Sequence, residues 1–286
     1  MRERVQMLLR IAGLATTVVL MSVMAAAQPT AIRPFDIAVS DEVLDDLRGR
    51  LEQTRLPDQL DGSGWDYGTE LGYLTELITY WRDEFDWRAQ ERRLNQFDQF
   101  KTSIDDLDIH FIHQRSPEPD AMPLIITHGW PGSIAEFTKI IGPLTDPVAH
   151  GGRAEDAFHV VAPSMPGYGF SDKPRNPGFG PEQIAEVGAT LMARLGYDRY
   201  GIQGGDWGAI VSRWHAFNHP EHAVGLHLNM LIAGPPSGGG APRDIAVSNM
   251  RKRHDRAASN GDEVVLAFAA AVFASMVIWR YFFHFP

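Results

Sequence analysis

The chain has 286 residues, 44% of them hydrophobic, and a formal net charge of −10. That length holds one large domain, or a medium domain with a smaller companion, and the apolar content supports a buried core. The acidic balance, without any stripe of clustered Lys and Arg, argues against a nucleic-acid partner, and the lack of cysteine rules out disulfides, thiolate metal sites and thiol nucleophiles.

Residues 1–27 read as an export signal. Arg2, Arg4 and Arg10 form a basic start, an apolar run follows from Ile11 to Met24, and Ala25-Ala26-Ala27 supplies the small residues a signal peptidase requires before Gln28. The alternative is an N-terminal membrane anchor, for which the run is short. Export to the periplasm or medium, with cleavage before Gln28, is the expectation.

Residues 34–100 carry a helical pattern. Ser40 is a candidate N-cap, with Asp41 and Glu42 where a helix dipole favours acids. Val43, Leu44, Leu47 and Leu51 recur at helical spacing, and Pro57 marks a stop. A second helix is expected from Thr69, with Leu71, Leu74, Leu77, Ile78 and Trp81 on one side. The nearby aromatic residues (Trp65, Tyr67, Tyr73, Tyr80, Trp81, Phe85, Trp87) read as a packing face rather than a ligand cage.

From 101 to 232 strands and helices alternate. Leu107–His113 alternates like a strand, Leu124–Thr127 is a short apolar run, and Ile134–Leu144 is helical. Strand Phe158–Ala162, helix Glu182–Leu195, strand Tyr200–Gln203, helix Ala209–Phe217 and strand Val224–Leu228 follow. This order implies a parallel sheet covered on both faces. Residues 233–286 break the pattern: a Gly/Pro linker from Gly234 to Pro242, a charged stretch, and an uncharged run from Val264 to Trp279 that is short for a membrane span. Membrane association through either end is therefore not favoured.

Three motifs carry chemistry. Gly204-Gly205-Asp206-Trp207-Gly208 sits between a predicted strand and a predicted helix, the setting of a nucleophile elbow, where small neighbours let a sharp turn lift one side chain above the sheet. Aspartate at that point is already ionised at neutral pH and attacks a saturated carbon without a base, leaving an ester that water must hydrolyse. A plain helix cap is the competing reading of Asp206. His128-Gly129-Trp130-Pro131-Gly132 follows the Leu124 strand, where an elbow hydrolase places one oxyanion donor. Backbone amides of Trp130 and Trp207 are the expected donors, serving when water adds to the ester. His128 reads as a structural residue that pins the loop, with Gly129, Pro131, Gly205 and Gly208 supporting the two turns. Pro163 to Ser171 (PSMPGYGFS) reads as a turn lining the pocket floor, with Tyr168 a packing residue.

Together His128-Gly129-Trp130-Pro131, Ser164-Met165-Pro166-Gly167-Tyr168-Gly169 and Gly205-Asp206-Trp207-Gly208 resemble the microsomal-type epoxide hydrolases. Pro34-Phe35, Arg55-Leu56-Pro57, Tyr80-Trp81, Phe85-Asp86-Trp87-Arg88 and Ile109-His110-Phe111-Ile112-His113 are similar to that family's N-terminal domain, so the likeness runs from about Arg33 to about Met230. It implies an α/β-hydrolase core preceded by a helical N-terminal domain. It also implies opening of a small apolar epoxide to a diol by an aspartate, two lid tyrosines and a His–Glu/Asp pair. No metal, nucleotide or organic cofactor is implied. Haloalkane dehalogenases share the Asp-Trp elbow and rank second, since they usually carry Asn at the Trp130 position and lack the helical N-terminal domain.

The resemblance fades before the acid–base pair. Asp244, Asp255, Asp262 or Glu263 with His254 or His284 are the formal candidates, and none follows a convincing strand. The expectation is a core incomplete at its C-terminus, with turnover impaired or, at the limit, a non-catalytic fragment.

Overall fold

The computed structural model describes residues 30–231. The export signal, the linker, the apolar run and every formal candidate for the acid–base pair lie outside the described residues. Two compact units divide the chain: Phe35–Gln99, and residues 30–34 together with 100–231.

The Phe35–Gln99 unit has three helices, α1 (Asp41–Glu52), α2 (Leu71–Asp83) and α3 (Trp87–Leu94). Ser40 stands at the α1 N-cap with extended backbone, but its side chain makes no cap bond. The hydroxyl meets the Glu42 carboxylate instead and holds it below its usual range. Helix α2 begins two residues later than its sequence pattern suggests, because the Glu70 carboxylate, not Thr69, caps it by accepting from the Tyr73 amide at 2.6 Å. Asp86 caps α3 through the Ala89 amide at 2.9 Å. The unit is tied largely by polar contacts. Glu91 accepts from the Val39 amide at 2.7 Å and pairs with Arg88 at 2.8 Å, while Asn95 exchanges two hydrogen bonds with the Ile37 backbone. The aromatic residues expected to form a packing face are exposed here: Trp65, Tyr67, Tyr73, Tyr80 and Trp81 all retain large accessible areas.

The second unit is built on a sheet whose seven strands are β1 (Arg33–Pro34), β2 (Gln99–Ile104), β3 (Leu107–Gln114), β4 (Met122–Thr127), β5 (Phe158–Pro163), β6 (Tyr200–Gly204) and β7 (Ala223–Leu228), in the order β1-β2-β3-β5-β4-β6-β7. The sheet is mixed, where the sequence suggested a parallel one. Strands β5, β4, β6 and β7 are parallel, but β3 runs antiparallel to β5 and β1 antiparallel to β2. A two-residue turn joins β2 to β3. Its residues Asp105 and Asp106 both have positive φ (51° and 60°), the turn geometry that closes an antiparallel hairpin.

Helices α4 (Ile141–Thr145), α5 (Pro181–Arg194) and α6 (Trp207–Asn218) complete the described part of this unit. The helix expected over Ile134–Leu144 is split. A 3₁₀ turn spans Ile134–Phe137 and α4 starts only at Ile141. Pro143 explains the restart, since its missing N–H is harmless in a first helical turn but breaks a ladder deeper inside. The core lies where Ile109, Phe111, Ile125, Val161 and Ile202 of the sheet meet Val187, Leu191 and Met192 of α5, all buried. Each such side chain contributes about 1.5–3 kcal/mol by leaving water. No helix among the described residues is long and apolar enough to cross a membrane.

Candidate active site

The sheet register brings two distant segments together. Strand β4 lies between β5 and β6, and Thr127 at its C-terminal end pairs with Gly204 at the end of β6. The residues that follow, His128–Trp130 and Gly205–Asp206, therefore leave the sheet side by side. In parallel sheets that crevice beyond the strand ends, at the point where the strand order reverses, is where ligands bind.

Asp206 sits at the sharp turn from β6 into α6 with φ 52° and ψ −125°. A non-glycine residue there costs on the order of 1–3 kcal/mol and persists only where neighbours enforce it. The enforcement is steric. A Cβ on Gly208 would run into the Thr127 carbonyl, so α6 packs this closely against the end of β4 only because Gly208 has none. On the facing loop, a Cβ on Gly129 would come within 2.6 Å of the Asp206 Cβ.

The Trp130 amide donates to Asp206 Oδ1 at 2.8 Å. The amides of Trp130 and Trp207 together hold this carboxylate below the usual aspartate range, against a small opposing effect of desolvation. Asp206 is thus ionised, solvent-exposed and oriented by the two backbone donors that the motifs single out. Trp130 and Trp207 flank it with side chains that are 62% and 45% exposed.

His128 is buried, with 1% of its surface accessible. Its Nε2 accepts from the Met165 amide at 3.1 Å, so the proton is on Nδ1, which donates to the Gly129 carbonyl at 2.9 Å. Burial lowers its pKa, only partly offset by that bond, and the ring stays neutral. Both nitrogens are committed to backbone, which leaves none for proton transfer at Asp206. The ring instead fixes the Gly129 peptide and, through it, the direction of the Trp130 N–H. Pro131 follows in a cis peptide.

The turn after β5 supports the same loop. Tyr168 packs edge-on against His128 with ring centroids 5.3 Å apart, and Ser164 Oγ is 2.9 Å from His110 Nδ1. One neighbour of the elbow was not apparent in the sequence. Asn229, just after β7, closes on Gly205 so tightly that a Cβ there would strike its side-chain amide. Its only sequence signal is its place at the end of a strand parallel to β6. An imidazole–carboxylate pair does occur, His219 with Glu186 at 2.9 Å, but at the other end of α6 from Asp206, roughly 18 Å away along a helix rising 1.5 Å per residue.

A parallel sheet end, a strained elbow residue and two convergent amides are the arrangement of a nucleophile elbow in the alpha/beta hydrolase fold. The family model for the alpha/beta hydrolase fold matches residues 122–268, just over half of the chain, and the chain belongs to that family. The family model for the epoxide hydrolase N terminus matches residues 32–137. Epoxide hydrolase 1 of Sus scrofa is 46% identical over 212 residues, 73% of this chain and 47% of that protein. The crystal structure of juvenile hormone epoxide hydrolase from the silkworm Bombyx mori is similar at 38% identity and a TM-score of 0.64, over 70% of this chain and 53% of that one. The structure of Aspergillus niger epoxide hydrolase is similar at 35% identity and the same TM-score, over 76% and 57%. The chain spans about half the length of the curated relatives it matches.

Proposed function

We propose that this chain opens epoxides through an ester formed on Asp206. The observation that carries the reading is the Trp130 amide on Asp206 Oδ1 at 2.8 Å, at a residue whose backbone is held in a strained elbow. With Oδ1 engaged by a backbone donor, Oδ2 is the oxygen left to attack. It displaces the ring oxygen from one epoxide carbon, the C–O bond breaks, and the alkoxide takes a proton from an acid. The exposed indoles of Trp130 and Trp207 offer apolar walls for a small hydrophobic epoxide.

The second step is addition of water to the Asp206 carbonyl carbon. The developing negative charge falls on Oδ1, where Trp130 already donates and Trp207 assists. Each such donor is worth about 10²–10³ in rate in comparable acyl chemistry. Collapse releases the diol and restores the carboxylate with one oxygen from water. This reading assigns attack and oxyanion stabilisation to residues 30–231. The formal acid–base candidates, Asp244, Asp255, Asp262, Glu263, His254 and His284, all follow them in sequence.

Incubation of the full chain with styrene oxide, followed by intact-protein mass spectrometry and diol analysis, tests the proposal. It predicts a mass gain of one epoxide, or diol formation, and loss of both in Asp206→Ala. Diol formation at an unchanged rate in Asp206→Ala contradicts it.

A further inference from the structure

At the C-terminal end of α6 the chain turns sharply through His219-Pro220-Glu221-His222 into β7. The turn is closed by the His222 amide donating to the His219 carbonyl at 3.2 Å, which brings the two imidazoles to one side with ring centroids 6.2 Å apart. One ligand atom from each of His219, Glu221 and His222 lies within 4.8 Å of the others.

Each histidine has one ring nitrogen held by an outer partner. His222 Nδ1 is 2.6 Å from the Asp198 carbonyl, an acceptor only, so Nδ1 carries a proton and Nε2 is the nitrogen left to bind a metal. That Nε2 is 3.8 Å from Glu221 Oε1. The His222 ring also stacks on Tyr200, centroids 6.1 Å apart and 10° from parallel, and its carbonyl accepts from the Tyr200 amide at 3.0 Å. On the other side His219 Nε2 contacts Glu186 Oε2 at 2.9 Å, and Glu186 is steadied by the Asn218 side-chain amide at 2.8 Å. A backbone carbonyl behind one imidazole and a carboxylate behind the other are the outer partners that fix tautomer and direction in metal sites. A histidine at a helix C-terminus is favoured by the helix dipole alone. That explains His219, but neither the second imidazole nor the bond that pins its Nδ1.

We propose that His219, Glu221 and His222 bind one divalent ion of the zinc class, with Glu186 orienting His219. Imidazole with carboxylate suits Zn²⁺, Ni²⁺ or Cu²⁺ rather than Mg²⁺ or Ca²⁺. Two neutral imidazoles and the carboxylates of Glu221 and Glu186 balance the ion's charge. Bond lengths of about 2.0–2.2 Å put tetrahedral ligands roughly 3.3 Å apart. The ligand atoms lie within 4.8 Å of one another, so binding requires the three side chains to draw together, Glu221 being 63% exposed. The site clamps α5, the end of α6 and the start of β7, at the opposite end of α6 from Asp206, so its role is structural.

Titration of the untagged full chain with zinc chloride by calorimetry, in a non-chelating buffer, tests this. One equivalent should bind, and the melting temperature should rise with zinc. Affinity should fall at least tenfold in His222→Ala and in His219→Ala. Glu221→Gln, which keeps shape and removes only the carboxylate, should also weaken binding, and it serves if a histidine variant fails to fold. Cu²⁺ bound to the wild-type chain should show splitting from two nitrogens in its paramagnetic resonance spectrum. Absence of binding at tens of micromolar zinc, or affinity unchanged in both Glu221→Gln and His222→Ala, overturns the proposal.

Discussion

The amide of Trp130 and the carboxylate of Asp206 meet at 2.8 Å across 76 residues of sequence. The contact exists because β4 and β6 are neighbours in register and each ends one step from its functional loop. It has a direct consequence for pH. The Trp130 and Trp207 amides favour the ionised carboxylate, so its pKa lies below the ordinary aspartate value of about 3.9. Attack on an epoxide should therefore be independent of Asp206 protonation down to about pH 4. Adduct formation measured against pH checks this, and an acid limb with its midpoint at pH 5–6 contradicts it.

Two glycines near the elbow should behave differently on substitution by alanine. In Gly129→Ala the new Cβ lies 2.6 Å from the Asp206 Cβ, so the loop must retreat and carry the Trp130 N–H with it. The expected result is a loss of about 10²–10³ in ester turnover, the cost of one oxyanion donor. In Gly208→Ala the new Cβ meets the Thr127 backbone, which cannot swing aside as a side chain would. That variant should lose about 1–3 kcal/mol of stability or fail to fold. Urea unfolding of both, with ester hydrolysis followed in Gly129→Ala, separates the two effects.

His215 should limit stability in mild acid. It is buried, its Nε2 is 2.9 Å from the Tyr200 hydroxyl, and burial first, then the nearby His219, pushes its pKa down to about 4. Between pH 4 and the unfolded value near 6.5 the unfolded chain binds a proton that the folded chain does not. The stability is complete above about pH 6.5 and is lost as pH falls towards 4, by roughly 3 kcal/mol. Buried His110, pushed down to about 3 by burial and then by Lys101, acts in the same direction. Urea unfolding at pH 7.5 and 4.5 should show a smaller loss in His215→Gln than in the wild-type chain. Equal losses would show that His215 is not the group responsible.

The parallel part of the core was legible because β4, β5 and β6 are short apolar runs separated by helical ones, and Gly-x-Asp-Trp-Gly falls at a strand-to-helix junction. Strand β2 was not. Its buried Thr102 and Ile104 alternate with Lys101 and Ser103, but the strand is six residues long and follows directly on a helical stretch. With β2 unseen, the antiparallel side of the sheet was unseen too. The motifs identified Asp206, Trp130 and Trp207 as residues of interest, whereas only coordinates give the direction of an N–H or the tautomer of His128. The pairing of Asn229 with Gly205 depends on the β6–β7 register, which the position of Asn229 at a strand end does not reveal.

The role of Asp206 is tested most directly by an isotope. Hydrolysis of an aspartyl ester at its carbonyl carbon leaves one water oxygen in the carboxylate, and an unhydrolysed ester leaves the epoxide attached. The full chain is incubated with styrene oxide in H₂¹⁸O, digested, and the peptide containing Asp206 is weighed. The account predicts that this peptide carries either ¹⁸O in the Asp206 carboxylate or the mass of one epoxide, and that the corresponding peptide of Asp206→Asn carries neither. Diol formed in H₂¹⁸O while the Asp206 peptide stays unlabelled and unmodified would contradict it, because water would then have attacked the epoxide itself.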